Sequence, residues 1–186
     1  MVKASDIVAL HDGAAAPAET ALWQAIAQNH FHNCRLWEQE DLARRRHAPD
    51  AEIAGNKRAI DSHNQQRNDA IERIDGILLS TLPRPAPRAR LSSETAGSMM
   101  DRLSILSLKI KAMREQTQRT GVTREHIETC QAKLARLTEQ RGDLAGCLDR
   151  LLEEAARGES YFKLYRQFKM YNDPALNPAI YNERKV

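Results

Sequence analysis

The chain has 186 residues, a formal net charge of +3, 28% charged residues and 5% aromatic residues. A single domain of this length buries roughly 70% of the surface its unfolded chain exposes, so a genuine core is expected. Basic and acidic residues alternate along the chain and stacking aromatics are scarce, which excludes a nucleic-acid-binding surface, and no run approaches the roughly 20 apolar residues of a membrane span.

Residues 1–16 are Ala-rich and weakly patterned, and are expected to be weakly ordered. The apolar run that holds Val8-Ala9-Leu10, before Gly13, is too short for a signal peptide. Cys34, Cys130 and Cys147 are odd in number and lack paired spacing, which fits reduced thiols. Together these features point to a cytoplasmic protein.

Pro17 followed by Glu19 predicts a helix start, proline being tolerated in the first turn, and this first helix should run to about Arg46. Its inward stripe reads Leu22, Ile26, Asn29, Asn33, Leu36, Trp37, Glu40, Arg44. Amides and a carboxylate therefore stand where Leu or Ile is the norm. Pro49-Asp50 supplies a break and a cap, after which a second helix extends to about Leu82.

That second helix repeats the anomaly. At about 100° per residue, Ile53, Ile60, Ile71, Ile74 and Leu78 share one direction with Asn64 and Arg67, while Asp61, Asn68, Glu72 and Asp75 flank it. An ordinary amphipathic helix keeps such groups on its far side. Pro83, Pro85 and Pro87 end the helix and open a Pro/Arg-rich loop over 83–91, where Arg84, Arg88 and Arg90 read as a basic linker.

Ser92-Ser93-Glu94 predicts the cap of a third helix, in which Met99, Leu103, Leu106, Ile110 and Met113 form one apolar face and Ile105 and Leu108 another. A helix apolar on two sides is central and buried, which makes Asp101 a buried carboxylate in need of a cation or several donors. Gly121 marks a turn and Thr123 the next cap. The fourth helix carries a seam of Ile127, Cys130, Leu134, Leu137, Leu144, Leu148 and Leu151 for an antiparallel hairpin with the third. Gly158 closes it, and residues 159–186 read as a short aromatic helix and an extended arm, the aromatics docking on the core.

The predicted architecture is one all-α domain over 1–186, an antiparallel bundle of four long helices with a short C-terminal helix and arm. Its polar residues define a candidate interhelical site: Asn33, Glu40 and Asp41 from the first helix, Asp61, Asn64, Arg67, Asn68, Asp69 and Glu72 from the second, Asp101 and Arg102 from the third. Two classes of function follow. In one, the protein is a non-catalytic interaction, scaffold or ligand-binding module whose buried polar groups set helix register. In the other, the carboxylates hold magnesium or manganese, an arginine receives the phosphate of a phosphorylated small molecule such as a nucleotide or nucleotide sugar, and Glu40 or Asp61 acts as base. Protein partners or a second copy would engage the hairpin of the third and fourth helices or the C-terminal arm. His30, His32 and Cys34 lack zinc-site spacing, since His32 points away from the other two on a helix.

The Arg67-Asn68-Asp69 triplet, the Asp101-Arg102-Leu103-Ser104-Ile105-Leu106 run, the Leu36-Trp37-Glu-Gln-Glu40-Asp41 segment and the Lys169-Met170-Tyr171-Asn172-Asp173-Pro174 tail together resemble the bacterial domain of unknown function 4254 family over nearly the whole chain. The resemblance implies a single-domain bacterial protein and a link to cell-envelope glycan biosynthesis, without assigning chemistry. Successive residues of the triplet lie about 100° apart on a helix, so all three cannot face one pocket. Asp69 is expected to point away from the apolar face.

Overall fold

A computed structural model describes residues 2–183; Met1 and residues 184–186, which belong to the expected terminal segments, lie outside the described residues. The chain is all-α, with helices α1 (Ala4–His11), α2 (Ala21–Ala43), α3 (Asp50–Thr81), α4 (Ala96–Thr117), α5 (Arg124–Ala156) and α6 (Pro178–Tyr181). Two short strands, β1 (Arg90–Leu91) and β2 (Ser160–Tyr161), and a single 3₁₀ turn complete the described elements. No described helix is long and apolar enough to cross a membrane.

Side-chain caps explain three of the four long helix starts. Thr20 accepts from Trp23 N–H, Thr95 from Ser98 N–H and Thr123 from His126 N–H, each satisfying a donor that has no intrahelical partner. Helix α2 thus begins after Thr20 rather than at Pro17, and α4 is capped by Thr95 rather than by the serines before it. Helix α3 follows Pro49 without a side-chain cap, its first turn carrying Asp50 and Glu52 where the helix dipole favours negative charge.

The loops at 44–49 and 118–123 fold α2 onto α3 and α4 onto α5. Among the described residues α4 is the one long helix that packs against all three others, and α5 meets α4 and α1 but neither α2 nor α3. Helix α4 is central for that reason, as its two apolar faces predict. Ile7, Ile26, Ile74, Met100, Leu103 and Leu148 are fully buried in the core this creates, each burial stabilising by about 1.5–3 kcal/mol.

Two expectations at the ends of the chain are overturned. Residues 4–11 are an ordered helix whose Ala4 and Ile7 are 0% exposed. Helix α1 lies over α4, α5 and α2, and Ala4 N–H donates to Asp149 Oδ1 at 2.8 Å. An eight-residue helix is marginal alone; tertiary contacts that no local pattern announces hold it.

The tail is the second correction, since its aromatics do not dock on the core as a group. Phe162 is buried, but Tyr165, Phe168 and Tyr171 are exposed, Phe168 to 87%. Gly158 turns the chain at φ +72°, and β2 then runs parallel to β1, pairing Arg90 with Ser160 and Leu91 with Tyr161. Ala86 N–H to Gly158 O, Arg90 N–H to Glu159 O and Ser92 N–H to Tyr161 O stitch the proline-rich loop to this segment. The backbone is committed to that pairing where a helix was expected, and Phe162 reaches the interior while Tyr165, Phe168 and Tyr171 do not.

Candidate functional site

The polar stripe of α2 meets α4 at Asp101. Its Oδ1 accepts from the side-chain amides of Asn29 and Asn33, each at 2.9 Å, and Asn33 also approaches Ser104 Oγ at 3.0 Å. All four residues are buried. Burying a carboxylate without donors is costly, and the spacing of Ile26, Asn29, Asn33 and Leu36 delivers two amides one turn apart to a single oxygen.

Histidines continue this cluster toward α1. His30 Nδ1 lies 2.8 Å from Ser104 Oγ, and its ring stacks on His11 with centroids 4.7 Å apart. Both ring nitrogens of His11 are buried without a partner. Burial first, then the neighbouring His30 and Arg141, pull His11 down to about 3, so its imidazole is neutral near pH 7. Burial also lowers His30, against an opposing pull from Asp12.

Arg67 of α3 approaches the cluster from the other side. Its Nε is 3.5 Å from Asp101 Oδ1, an ion pair too long for a hydrogen bond, and that Nε is buried with no acceptor. Arg67 and Asn64 form a wall shared by two clefts. The first, about 350 Å³, lies between α2, α3 and α4 and is lined by Asn33, Leu36, Trp37, Glu40, Asp41 and Arg44 together with Ile105 and Leu108. The second, about 210 Å³, lies between α3 and the arm and is lined by Asp61, Asn64, Arg67, Asn68, Gln167, Lys169 and Tyr171.

The structure therefore divides the expected site. Asn33, Arg67 and Asp101 meet in the interior. Glu40, Asp41 and Asn64 face the first cleft, and Asp61 and Asn68 the second. Glu72 accepts from the Gln167 backbone N–H at 3.0 Å, and Asn68 Nδ2 donates to Gln167 Oε1 at 2.9 Å, so both hold the arm. Asp69 is exposed and accepts from Gln65. Arg102 is a correction: it is exposed, pairs with Glu94 and lines a different cleft beside Met99 and Cys147. It sits one residue, and therefore about 100°, from the inward Asp101.

The carboxylates do not pool as a strip beside the core. Glu40 pairs with Arg44 at 2.6 Å, Asp61 with Lys57, and Asp101 is occupied by amides. Among the described residues no three His, Cys, Asp or Glu side chains converge to hold a metal ion. A magnesium or manganese ion here would have to draw most of its oxygens from water or a ligand.

Sequence reasoning missed Asn29, His30 and Ser104 as members of the Asp101 cluster, and Gln167, Lys169 and Tyr171 as cleft residues. Asn29 was legible, because it stands on the same stripe as Asn33. The arm residues carried no periodic signal that would place them on α3.

A family model described as a protein of unknown function (DUF4254) matches residues 23–164, a span that runs from the start of α2 through β2 and holds Asn64, Arg67, Asn68 and Asp101. No curated protein and no solved structure matches the chain.

Proposed function

The chain belongs to the DUF4254 family, and we propose that it is a non-catalytic module that binds a phosphorylated small molecule at Arg67. The observation that carries this reading is the state of the Arg67 guanidinium. Its side chain is 27% exposed, it forms no hydrogen bond among the described residues, and it lines both clefts. A guanidinium offers five donors in a fork matched to phosphate oxygens. The Arg67 Nε is buried beside Asp101 without a hydrogen bond among the described residues, which leaves the terminal nitrogens to reach a ligand.

The same geometry argues against the metal-dependent enzyme. Its candidate bases, Glu40 and Asp61, are both paired with cations on the protein surface, and the carboxylates lie too dispersed to share a metal. Calorimetric titration of the full chain with pyrophosphate, with and without a chelator, tests the proposal. Saturable, salt-sensitive binding that survives the chelator, leaves the phosphorus spectrum of the ligand unchanged and drops at least tenfold in Arg67→Gln is expected. Metal-dependent cleavage lost in Glu40→Gln or Asp61→Asn would restore the enzyme reading.

A second reading, an interaction module, is favoured by the exposed Tyr165, Phe168 and Tyr171 and by an apolar groove of about 960 Å³ between α2 and the α4–α5 hairpin, lined in part by Trp37, Met113 and Leu137. Exposed apolar surface of this kind marks contact sites. Light-scattering masses of the full chain and of a Phe168→Ser, Tyr171→Ser variant test association of copies through the arm.

A further inference from the structure

We propose that the occupant of the smaller cleft is a hydroxylated phosphate ester, a sugar or polyol phosphate, clasped between α3 and the arm; this deepens the Arg67 reading and rests on it. The cleft presents two cations on opposite walls, of which Arg67 has Asp101 as its counter-charge, 3.5 Å from its Nε. Arg67 comes from α3 and Lys169 from the arm, and among the described residues Lys169 forms no ion pair. The one carboxylate there, Asp61, already has Lys57 as its partner. Lys169 is left as the uncompensated charge, and a phosphate satisfies an ammonium and the terminal donors of a guanidinium together.

Charge alone would be met by inorganic phosphate, but the remaining groups ask for more. Asn68 is 5% exposed, and its Oδ1 is buried with no donor. The dianion of a phosphate ester offers acceptors only and inorganic hydrogen phosphate a single O–H, whereas a sugar or polyol offers several hydroxyl donors for such an oxygen. Asn64 adds an amide without a hydrogen bond among the described residues, and Tyr171 adds a phenol. Donors for an anion and acceptors for hydroxyls thus face one space of about 210 Å³, below the roughly 300 Å³ at which pockets for drug-sized ligands begin.

The arm makes the site two-sided. Gln167 is held by Asn68 and Glu72 through two hydrogen bonds, which fixes the neighbouring Lys169 and Tyr171 against α3. The phosphate and hydroxyls have two chemical sources, a free ester or the sugar-phosphate half of a nucleotide sugar. Trp37 in the adjoining cleft, across the Arg67 wall, is the surface on which a base would stack in the second case.

The test is calorimetric titration of the full chain with inorganic phosphate, glycerol 3-phosphate, the 1-phosphates of glucose, galactose and mannose, their free sugars, UDP and UDP-glucose. At least one ester should bind ten times or more tighter than inorganic phosphate, with no heat from the free sugars. Asn68→Leu should bind that ester no tighter than the same variant binds phosphate, Lys169→Gln should weaken both in parallel, and Arg67→Gln should abolish both, each variant keeping the helical spectrum of the parent. UDP-glucose binding above the best free ester and above UDP identifies the nucleotide-sugar source; UDP-glucose at or below the best ester identifies the free ester. Phosphate equal to every ester overturns the sugar-phosphate inference while leaving Arg67 an anion site. UDP matching UDP-glucose with every free ester silent overturns it also. Absence of binding by any phosphate removes both readings.

Discussion

Asp75 Oδ1 accepts a 2.7 Å hydrogen bond from the backbone N–H of Gly97, which ties the C-terminal third of α3 to the first turn of α4. The carboxylate caps a helix that its own chain segment does not contain, placing negative charge at the positive end of the dipole. Close approach makes the bond possible. A Cβ on Gly97 would stand 2.7 Å from Ile71 O and 2.9 Å from Asp75 Oδ1.

Gly97→Ala is therefore expected to destabilise the fold by about 1–3 kcal/mol, the range for overpacking a tight contact. The usual gain from replacing a helical glycine by alanine, about 1 kcal/mol, should be reversed. Urea unfolding of the two proteins with an unchanged m-value checks it. A variant as stable as the parent would show that α3 and α4 can separate at no cost.

The same carboxylate should leave a signature in stability against pH. Burial pushes Asp75 up to about 6 against the hydrogen bonds from Thr95 and Gly97 that favour its charged form. The folded state then holds this proton more tightly than the unfolded chain, so the group stabilises at low pH and that contribution is lost as pH rises from about 4 through about 6. His11 has the opposite sign. Its depressed pKa, about 3, means that stability present above about 6.5 is lost as pH falls toward 3. Unfolding free energies between pH 4 and 7 should steepen upward with pH in Asp75→Asn and flatten in His11→Gln. Parallel curves for parent and both variants would contradict the burial of these groups.

Asp101→Ala should cost about 3–5 kcal/mol, the range for removing one partner of a buried ion pair, because the amides of Asn29 and Asn33 lose their acceptor and Arg67 its counter-charge. Asp101→Asn should cost less, since the new side chain keeps an acceptor oxygen. Denaturation midpoints of the two variants at pH 7 give the order. Equal midpoints would show the charge to be irrelevant at that site.

Two aromatics of the tail six residues apart should behave oppositely. Phe162 is 2% exposed and packs in the core, so Phe162→Ala is expected to cost about 3–5 kcal/mol. Phe168 is 87% exposed, and its replacement by alanine should fall within about 0.5 kcal/mol of the parent. A large loss at Phe168 would place it against the protein or against a second copy, which a concentration-dependent melting temperature would reveal.

Local chemistry is what the amino-acid order encodes directly. Proline and glycine punctuation, the Thr123 cap and the 3–4 spacing of apolar residues delimit α2 to α5 to within a few positions, because they act over one or two turns. The two-sided apolar pattern of α4 likewise makes it central and Asp101 a buried carboxylate in need of donors. Periodicity assigns a residue to a face, but it does not say which face of which neighbour it will meet. It took the packing of the helices to bring Asn29 and Asn33 to Asp101, to stand Arg67 between two clefts without a hydrogen bond among the described residues, to cap α4 with Asp75, and to turn Arg102 to solvent. The ends of the chain were least legible for the same reason: α1 and the arm owe their positions to Asp149, Asn68 and Glu72, partners far away in sequence, and the entropy of bringing such partners together is met by packing that no window along the chain contains.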